Sequence, residues 1–356
     1  MELAALTTRN FRNLAAVDVE IPPRGLVVIG DNGQGKTNLL EAIYYLVLFR
    51  SLRGSQDREL VRFGEAGFFV AGDASSRITA GYEVAGRRKK VTADGTEIKK
   101  LADAVGLITA VALSPADRSM VDGGPAGRRR FLDVLLSLSE DGYLQTLSEL
   151  RAALRQRNAA LKRGDSAAAQ AFDRPAAHAS HRIALARNEW VSNWRVRYAE
   201  LCSSLGEQRK CGIAYYSHHW TPQDGAAGIE RALQARIERD LRRATTTVGP
   251  HRDDLLLTLG EKDIRKYGSA GQQRTAAIAL RLLEAQALAE SHGTTPIALF
   301  DDVFAELDQD RQERLLKLIS QSFPGQAIIT APRDAEVPSV LFDRPRWRMT
   351  GGRLEE

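Results

Sequence analysis

The sequence feature that most constrains the fold is a glycine-rich segment close to the N-terminus. Residues 30–37 match the phosphate-loop pattern G-x-x-x-x-G-K-[ST] at every fixed position. An apolar stretch at 26–29 precedes the loop, and Leu39, Ile43 and Leu46 follow it at helical spacing. In this strand–loop–helix order the glycines let successive backbone N–H groups point at an anion, which also lies at the positive end of the helix. The segment therefore predicts a nucleotide site.

The roles of single residues follow from the chemistry of such loops. We expect Lys36 to reach the β- and γ-phosphates of ATP and the Thr37 hydroxyl to ligate Mg²⁺. The guanidinium of Arg12 could lean over a bound adenine or phosphate; the alternative is a solvated hairpin tip. The predicted nucleotide-binding residues are Gly30, Asp31, Asn32, Gly33, Gln34, Gly35, Lys36, Thr37, Asn38 and Arg12.

An acid pair ends an apolar strand near residue 300. Residues 297–300 are apolar, and Asp301 and Asp302 follow directly. Carboxylates at the C-terminal end of a buried parallel strand lie beside the phosphate loop. We expect Asp301 to hold Mg²⁺, directly or through water, and Asp302 to orient or deprotonate the attacking water. The phosphate loop supports this interpretation, because two acids after an apolar run also occur in ordinary strand-to-loop turns.

A helix start near residue 269 has the chemistry of a second anion site. Ser269 and Gln272 form a capping box, and the serine hydroxyl and the open N–H groups of the first turn suit an anion. Because the chain already has one phosphate loop, we expect this motif to contact the nucleotide of a second subunit; the alternative is a helix that is only well capped. The predicted trans-acting residues are Ser269, Gly271, Gln272 and Gln273, with Glu306 and Asp308 in the loop after the acid pair.

This sharing of residues predicts a two-fold homodimer that holds two nucleotides at its interface. The candidate catalytic residues are accordingly Lys36, Asp302 and Ser269, and the candidate metal ligands are Thr37 and Asp301. Neither protomer would own a complete hydrolytic site.

The order of local patterns predicts an α/β fold with an inserted lobe. A hairpin precedes the phosphate loop, short strands fill 60–112, and 128–243 has helical periodicity. Two strands at 297–300 and 326–329 flank a helix, and this βαβ unit implies a parallel core sheet. We predict an ATPase head formed by 1–118 and 245–356, with a β-rich subdomain at about 60–113, and a helical lobe at 119–244.

Composition sets limits on location and partners. The chain has 356 residues, a net charge of +5 and two cysteines, and no apolar run approaches the ~18 residues of a membrane span. The cysteine content and the lack of a secretory signal predict a cytoplasmic protein without a membrane partner. The positive charge suits a polyanion such as DNA. Candidate phosphate contacts, which are alternatively only solvated surface charges, are Arg87, Arg88, Lys89, Lys90, Arg128, Arg129 and Arg130.

Cys202, Cys211, His218 and His219 suggest a zinc site at first sight. Their spacing matches no standard ligand pattern, so two ordinary thiols and two surface histidines are the favoured interpretation.

Four motifs in order resemble the RecF family, which are ATPases of the ABC class related to the heads of SMC proteins. They are G-x-N-G-x-G-K-T at 30–37, T-x-G-P-H-R-D-D-L at 247–255, S-x-G-Q-Q-R at 269–274 and D-D-x-x-x-E-L-D at 301–308. Asn-Phe-Arg-Asn at 10–13 and the stretch from 114 to 133 are also similar to that family. About 140 to 240 shows nothing diagnostic.

The resemblance implies that ATP closes two subunits head to head, that the dimer grips duplex DNA near single-strand gaps, and that slow hydrolysis releases it. It also implies work with RecR and RecO to load RecA during repair and replication restart, and a weak, DNA-stimulated ATPase acting as a switch. Two departures from ABC enzymes predict slow turnover. Asp302 stands where many have glutamate, and Thr330 stands where many have a histidine that contacts the γ-phosphate.

Two other classes of P-loop protein remain as alternatives. The ATP-binding subunit of a membrane transporter shares the loop, cap and acids, but usually has Leu-Ser-Gly-Gly-Gln where this chain has Gly-Ser-Ala-Gly-Gln at 268–272. A small-molecule P-loop kinase would need no motif at Ser269 and would function as a monomer.

Overall fold

The structure is a computed structural model that describes residues 1–304, 309–338, 341 and 343–356. The chain divides into two compact units. The first comprises Met1–Asp117, Ser204–Gly206 and Ile278–Glu356, and the second comprises Arg118–Ser203 and Glu207–Ala277. Among the described helices, none combines the length and apolarity that a bilayer crossing needs.

The strands of the described residues are numbered in chain order. They are β1 (Ala5–Phe11), β2 (Leu14–Glu20), β3 (Gly25–Ile29), β4 (Gly67–Asp73), β5 (Arg77–Glu83), β6 (Arg88–Ala93), β7 (Thr96–Glu97), β8 (Ala110–Leu113), β9 (Cys211–Tyr216), β10 (Asp254–Leu259), β11 (Lys262–Asp263), β12 (Ile297–Asp301), β13 (Ala327–Ala331), β14 (Arg346–Thr350) and β15 (Arg353–Glu355).

The α-helices of the described residues are numbered in the same way. They are α1 (Lys36–Leu48), α2 (Asp57–Leu60), α3 (Arg118–Asp122), α4 (Pro125–Ser139), α5 (Tyr143–Lys162), α6 (Ser166–Gln170), α7 (Asp173–Ser204), α8 (Gly225–Ala235), α9 (Ile237–Arg243), α10 (Ile264–Tyr267), α11 (Ala270–His292) and α12 (Gln309–Ser322).

A sheet in the first unit carries the phosphate loop at the end of one of its inner strands. Its order is β15-β14-β3-β13-β12-β8, and all pairs except β14–β15 are parallel. Every residue of β3 and β13 is buried, as expected for inner parallel strands that are covered on both faces. The predicted βαβ unit, β12–α12–β13, is therefore confirmed.

The second sheet of the first unit is antiparallel and has the order β2-β1-β4-β5-β6-β7. It contains the predicted N-terminal hairpin and four short strands, β4 to β7, within the range 60–112 where short strands were predicted. The prediction is wrong for β8, because Ala110–Leu113 pairs in parallel with β12 instead. All four residues of β8 are buried without alternation, which is the pattern of a strand covered on both faces rather than of a half-exposed antiparallel strand.

The second unit is mainly helical but also contains a sheet of order β11-β10-β9. Residues 255–259 were predicted to belong to the ATPase head. In the structure β10 pairs antiparallel with β9, which lies beyond α7 in the chain, so the second unit extends to Ala277 rather than ending at 244. The partner of β10 is set by a pairing between segments that are distant in the chain.

A buried ionic network joins several segments of the second unit. The guanidinium of Arg157 is fully buried and donates to Asp173 at 2.7 Å and to Asp240 at 2.6 Å. It also donates to the Thr246 hydroxyl at 2.9 Å. Asp240 accepts two further hydrogen bonds, from the backbone and the hydroxyl of Thr247. The network thus connects α5, α7 and α9 with the segment that leads into β10.

We predict that Arg157→Ala lowers the free energy of unfolding by about 3–5 kcal/mol, because it leaves two buried carboxylates without their counter-charge. Urea-induced unfolding measures the change. The control is Arg155→Ala, which alters an exposed arginine on the same helix and should change the free energy by about 0.5 kcal/mol or less. Equal effects of the two substitutions would contradict the structural role given to the network.

Candidate functional site

The phosphate loop is shaped by two glycines and by the strand beside it. Gly33 and Gly35 have backbone φ angles of 82° and 118°, which residues other than glycine rarely adopt. Gly35 is also the N-cap residue of α1. A Cβ on Gly30 would lie 2.4 Å from the backbone oxygen of Met349 in β14. The glycines are therefore required by backbone geometry and by the close approach of a neighbouring strand.

Lys36 lies over the loop that it follows. Its ammonium donates to the backbone oxygens of Gly30 at 2.7 Å and Asp31 at 3.3 Å, and it lies 3.9 Å from the carboxylate of Asp302. The side chain is only 4% exposed. This positive charge is thus held at the point where the loop, the helix N-terminus and an acid come together, and its contact with phosphates stays a prediction.

The acid pair lies beside the first turn of α1. The Thr37 hydroxyl donates to Asp301 Oδ1 at 2.9 Å. Thr330, at the end of β13, has its hydroxyl 2.9 Å from Asp301 Oδ1 and 3.2 Å from Asp302 Oδ1, and it accepts from the Asp302 backbone N–H at 3.1 Å. Sequence reasoning noted Thr330 only as a replacement for histidine and missed that it connects both acids.

Asp301 is distinguished by a raised pKa and Asp302 by an unusual backbone conformation. Burial raises the pKa of Asp301, and its hydrogen bonds from Thr37 and Thr330 offset this only in part. Asp302 has a φ of 48°, a left-handed conformation that is uncommon for residues other than glycine. Strain of this kind is often found at functional sites.

The oxygens of Thr37 and Asp301 fit a magnesium ion. Mg²⁺ prefers hard oxygen ligands and usually takes one or two from the protein, with water and phosphate oxygens completing its shell. In the described part of the chain no cluster of three or more histidine, cysteine, aspartate or glutamate side chains could hold a metal. A hydroxyl and one carboxylate at the loop therefore match magnesium on a nucleotide better than a metal held by protein ligands alone.

The N-terminal turn supports the loop through a residue that the sequence analysis did not select. Asn13 donates to the backbone oxygen of Gln34 at 3.0 Å and accepts from the side chain of Asn38 at 2.8 Å. The Gln34 side chain in turn accepts from Gly351 N at 2.6 Å. The only hint in the sequence that Asn13 supports the loop was its position directly after Arg12. Its partners Gln34 and Asn38 are more than 20 residues away, so the local sequence could not identify them.

Arg12 lies beside the loop but is bound to protein groups. Its guanidinium donates to Glu41 at 3.0 and 3.3 Å, to Ser55 at 2.8 Å and to the Glu59 backbone oxygen at 3.0 Å. Burial would raise the pKa of Glu41, but the hydrogen bonds from Arg12 and Ser51 outweigh it and lower the pKa. Arg12 thus anchors the turn to α1, and its direct contact with a nucleotide stays a prediction.

The capping box at the start of α11 is present. The Ser269 backbone N–H donates to Gln272 Oε1 at 2.9 Å, and Gln272 N donates to Ser269 Oγ at 3.3 Å. Ser269 is exposed and Gly271 half-buried. Gln273, also predicted to act in trans, is 6% exposed and is bonded to Arg118 and to backbone oxygens of α10, so its role here is structural.

The two remaining residues predicted to act in trans, Glu306 and Asp308, lie outside the described residues.

The basic clusters separate into buried and exposed members. Arg128 is 4% exposed and pairs with Asp254 at 2.8 Å, and Lys89 pairs with Asp57 at 2.8 Å and donates to the Phe49 backbone oxygen. These two predictions of DNA contact are wrong, because both charges are used within the fold. Arg129 is half-buried and donates to the Asp253 backbone oxygen. The exposed members are Arg87, Arg88, Lys90 and Arg130.

With this geometry established, comparison with known proteins decides the family. A family model described as "RecF/RecN/SMC N terminal domain" matches residues 2–340. The protein named DNA replication and repair protein RecF from Anaeromyxobacter dehalogenans (strain 2CP-C) is 38% identical over 348 residues, covering 93% of this chain and 92% of that protein. The chain belongs to the RecF family. RecF of Ligilactobacillus salivarius (strain UCC118) is 33% identical and covers 100% of this chain and 98% of its own length.

Solved structures agree with this assignment. A structure described as "recombination mediator protein RecF-ATPrS in RecFOR pathway" has a TM-score of 0.89 at 30% identity, covering 99% of this chain and 97% of that one. An Smc head bound to the C-terminal winged-helix domain of ScpA has a TM-score of 0.56 at 15% identity, covering 100% of this chain and 96% of that one, and shows a shared fold. The predicted fold class, an ATPase head of the RecF and SMC type, is thereby confirmed.

We predict that Thr330→Val slows ATP hydrolysis by about 10- to 150-fold while ATP still binds. A hydrogen bond to a charged group contributes about 1.5–3 kcal/mol, and the Thr330 hydroxyl lies between both acids. The measurement is single-turnover hydrolysis together with nucleotide titration. Thr109→Val is the matched control, because Thr109 is fully buried and its hydroxyl has no hydrogen-bond partner. Equal turnover in the two variants would show that Thr330 does not position the acids.

Proposed function

We propose that this chain is an ATP-dependent DNA-binding protein of recombinational repair and replication restart. ATP would join two copies into a dimer that closes on duplex DNA near a single-strand gap, and hydrolysis would release it. The observation that carries the proposal is the hydrogen bond from Thr37 to Asp301. It brings a phosphate-loop helix and an acid strand together in a chain of the RecF family.

The protein groups of the site suit triphosphate binding and water activation. Lys36 and the N-terminus of α1 supply positive charge to the β- and γ-phosphates. Mg²⁺ held by Thr37 and Asp301 would neutralise the charge that develops on the phosphate oxygens. Asp302, fixed by Thr330, would orient the attacking water or accept its proton. Aspartate is one methylene shorter than the glutamate of many ABC enzymes, which supports slow hydrolysis by an ATPase that acts as a switch; its stimulation by DNA is proposed from the family.

The chemistry at the start of α11 supports the proposed dimer. Its start presents an exposed Ser269 with a capped first turn, which suits an anion from outside the protomer. One phosphate loop already serves the protomer's own nucleotide, so an isologous dimer would use both elements twice. We assign Ser269 and Gly271 to the nucleotide of the partner subunit.

Partners and location are proposed from the family. A neighbouring structure is described as a recombination mediator in the RecFOR pathway, so we propose RecR and RecO as partners and RecA loading on gapped DNA as the outcome. The net charge of +5 suits the DNA. The reaction would take place in the cytoplasm. A transporter subunit, the alternative from the motifs, is not favoured by the matches to RecF proteins across nearly the whole chain.

We predict that Lys36→Ala abolishes ATP binding, ATP-dependent dimerisation and DNA retention together, because all three depend on the charge held over the loop. Light scattering and DNA anisotropy with and without ATP measure the effects. Lys162→Ala, which alters an exposed lysine at the end of α5, should behave like the wild type. Normal ATP-dependent DNA retention in Lys36→Ala would remove the nucleotide from the proposed mechanism.

We predict that Ser269→Arg keeps ATP binding but prevents the dimer, because the added side chain would occupy the space of the partner's phosphate. Nucleotide titration and light scattering separate the two properties. Ser203→Arg adds an arginine at another exposed serine and should leave the dimer intact. If Ser269→Arg instead lost ATP binding itself, Ser269 would act within its own protomer.

A further inference from the structure

A cavity in the second unit has the chemistry of an anion site. Its volume is about 200 Å³. Among the residues that line it, six bring positive charge or nitrogen donors: His218, His219, Trp220, Arg239, Arg243 and Arg252. Neither the phosphate loop nor the acid pair contributes to this lining, so the ATP site does not account for it.

The positive charges of the cavity are not neutralised by acids. Within the described ranges Arg239, Arg243 and Arg252 form no ion pair, and Arg252 donates only to the Thr246 backbone oxygen and the Thr245 hydroxyl. Burial, and then the nearby arginines 236 and 239, lower the pKa of His219. The neighbourhood therefore favours a ligand that brings negative charge.

One acid, Asp253, also lines the cavity. Its Oδ2 accepts from the Tyr215 hydroxyl at 2.5 Å, and burial raises its pKa to about 6. A single carboxylate that is bound to a phenol does not offset three arginines.

The cavity wall also holds a buried hydrogen-bond donor without an acceptor. Trp220 is 6% exposed, and its indole N–H has no partner among the described residues. A buried donor left unpaired costs about 1–3 kcal/mol, and native structures rarely leave such groups unexplained. A phosphate group can accept several hydrogen bonds at once, from N–H, O–H and guanidinium donors alike.

Size and surroundings narrow the ligand further. Sites for whole small molecules measure about 300–1,000 Å³, so this cavity suits one phosphate group better than a complete nucleotide. Arg239 and Arg243 are spaced i, i+4 and so share one face of α9, and Arg236 directly precedes that helix. Arg236 Nη2 lies 3.5 Å from His219 Nδ1. The positive face thus continues beyond the cavity, as a polymeric anion requires.

We propose that this cavity binds one backbone phosphate of DNA, with Trp220 as a donor and Arg239, Arg243 and Arg252 as counter-charges. In naming DNA as the source of the phosphate, the proposal rests on the proposed function. The site would fix DNA on the second unit at a point that the sequence pattern did not select.

The first test uses the full chain without nucleotide and inorganic phosphate as the probe, at constant ionic strength. The indole N–H resonance of Trp220, assigned with Trp220→Phe, should shift and saturate in the wild type. Combined Arg239→Ala and Arg243→Ala should weaken the response at least 10-fold. Arg242→Ala should not, because this exposed neighbour on α9 does not line the cavity. Absence of a saturable shift in the wild type would overturn the site, whatever the variants do.

The second test replaces phosphate with a short DNA duplex. A shift of the same resonance, lost in the double variant, supports a DNA phosphate as the ligand. With ATP present, the double variant should also bind duplex about 10-fold more weakly than Arg242→Ala, and its salt dependence should be smaller by about 0.9 per lost contact.

A response to inorganic phosphate without a response to duplex would overturn DNA as the source and assign a free phosphate instead. The resonance is measured without ATP, so failure of the proposed phosphate site can be distinguished from failure of the proposed ATP-driven dimer. The dimer is tested separately by Lys36→Ala and Ser269→Arg.

Discussion

The hydrogen bond between Thr37 and Asp301 is the contact on which the nucleotide site depends. It joins the first turn of α1 to the end of β12, two elements separated by 264 positions in the chain. Thr330 connects Asp301 with Asp302 from β13. The phosphate loop, the proposed metal ligands and the acid proposed to activate water are therefore positioned by three adjacent parallel strands.

Sheet order explains why these residues meet. Strand β13 lies between β3 and β12, and the buried apolar residues of all three strands fix their register, because slippage would expose them. The C-terminal ends of parallel strands share one edge, and ligand sites of α/β sheets form there. The positions of the site residues are thus fixed by the core. Asn13, near the N-terminus, and Gly351, near the C-terminus, both hydrogen-bond to Gln34 of the phosphate loop.

Features that depend on local sequence could be predicted, and those that depend on pairing between distant segments could not. Neighbouring residues alone predict the strand before the loop, the helix after it, the capping box at Ser269 and the βαβ unit. They do not predict the parallel partner of β8 or the antiparallel partner of β10. Residue type alone also failed at 128–130, where three consecutive arginines are respectively buried, half-buried and exposed. For Lys89 a signal existed, since it shares a strand face with buried Val91.

The central claim is that each hydrolytic site takes the phosphate loop from one protomer and Ser269 from the other. Its most direct measurement mixes Lys36→Ala with Ser269→Arg in equal amounts and follows ATP hydrolysis. A mixed dimer would hold one intact site, whereas neither variant forms a dimer with itself. Activity absent from either variant should therefore return to at most about half of the wild-type rate, because each mixed dimer has one of two sites. A mixture no more active than the separate variants, or full hydrolysis by Ser269→Arg alone, would contradict the account.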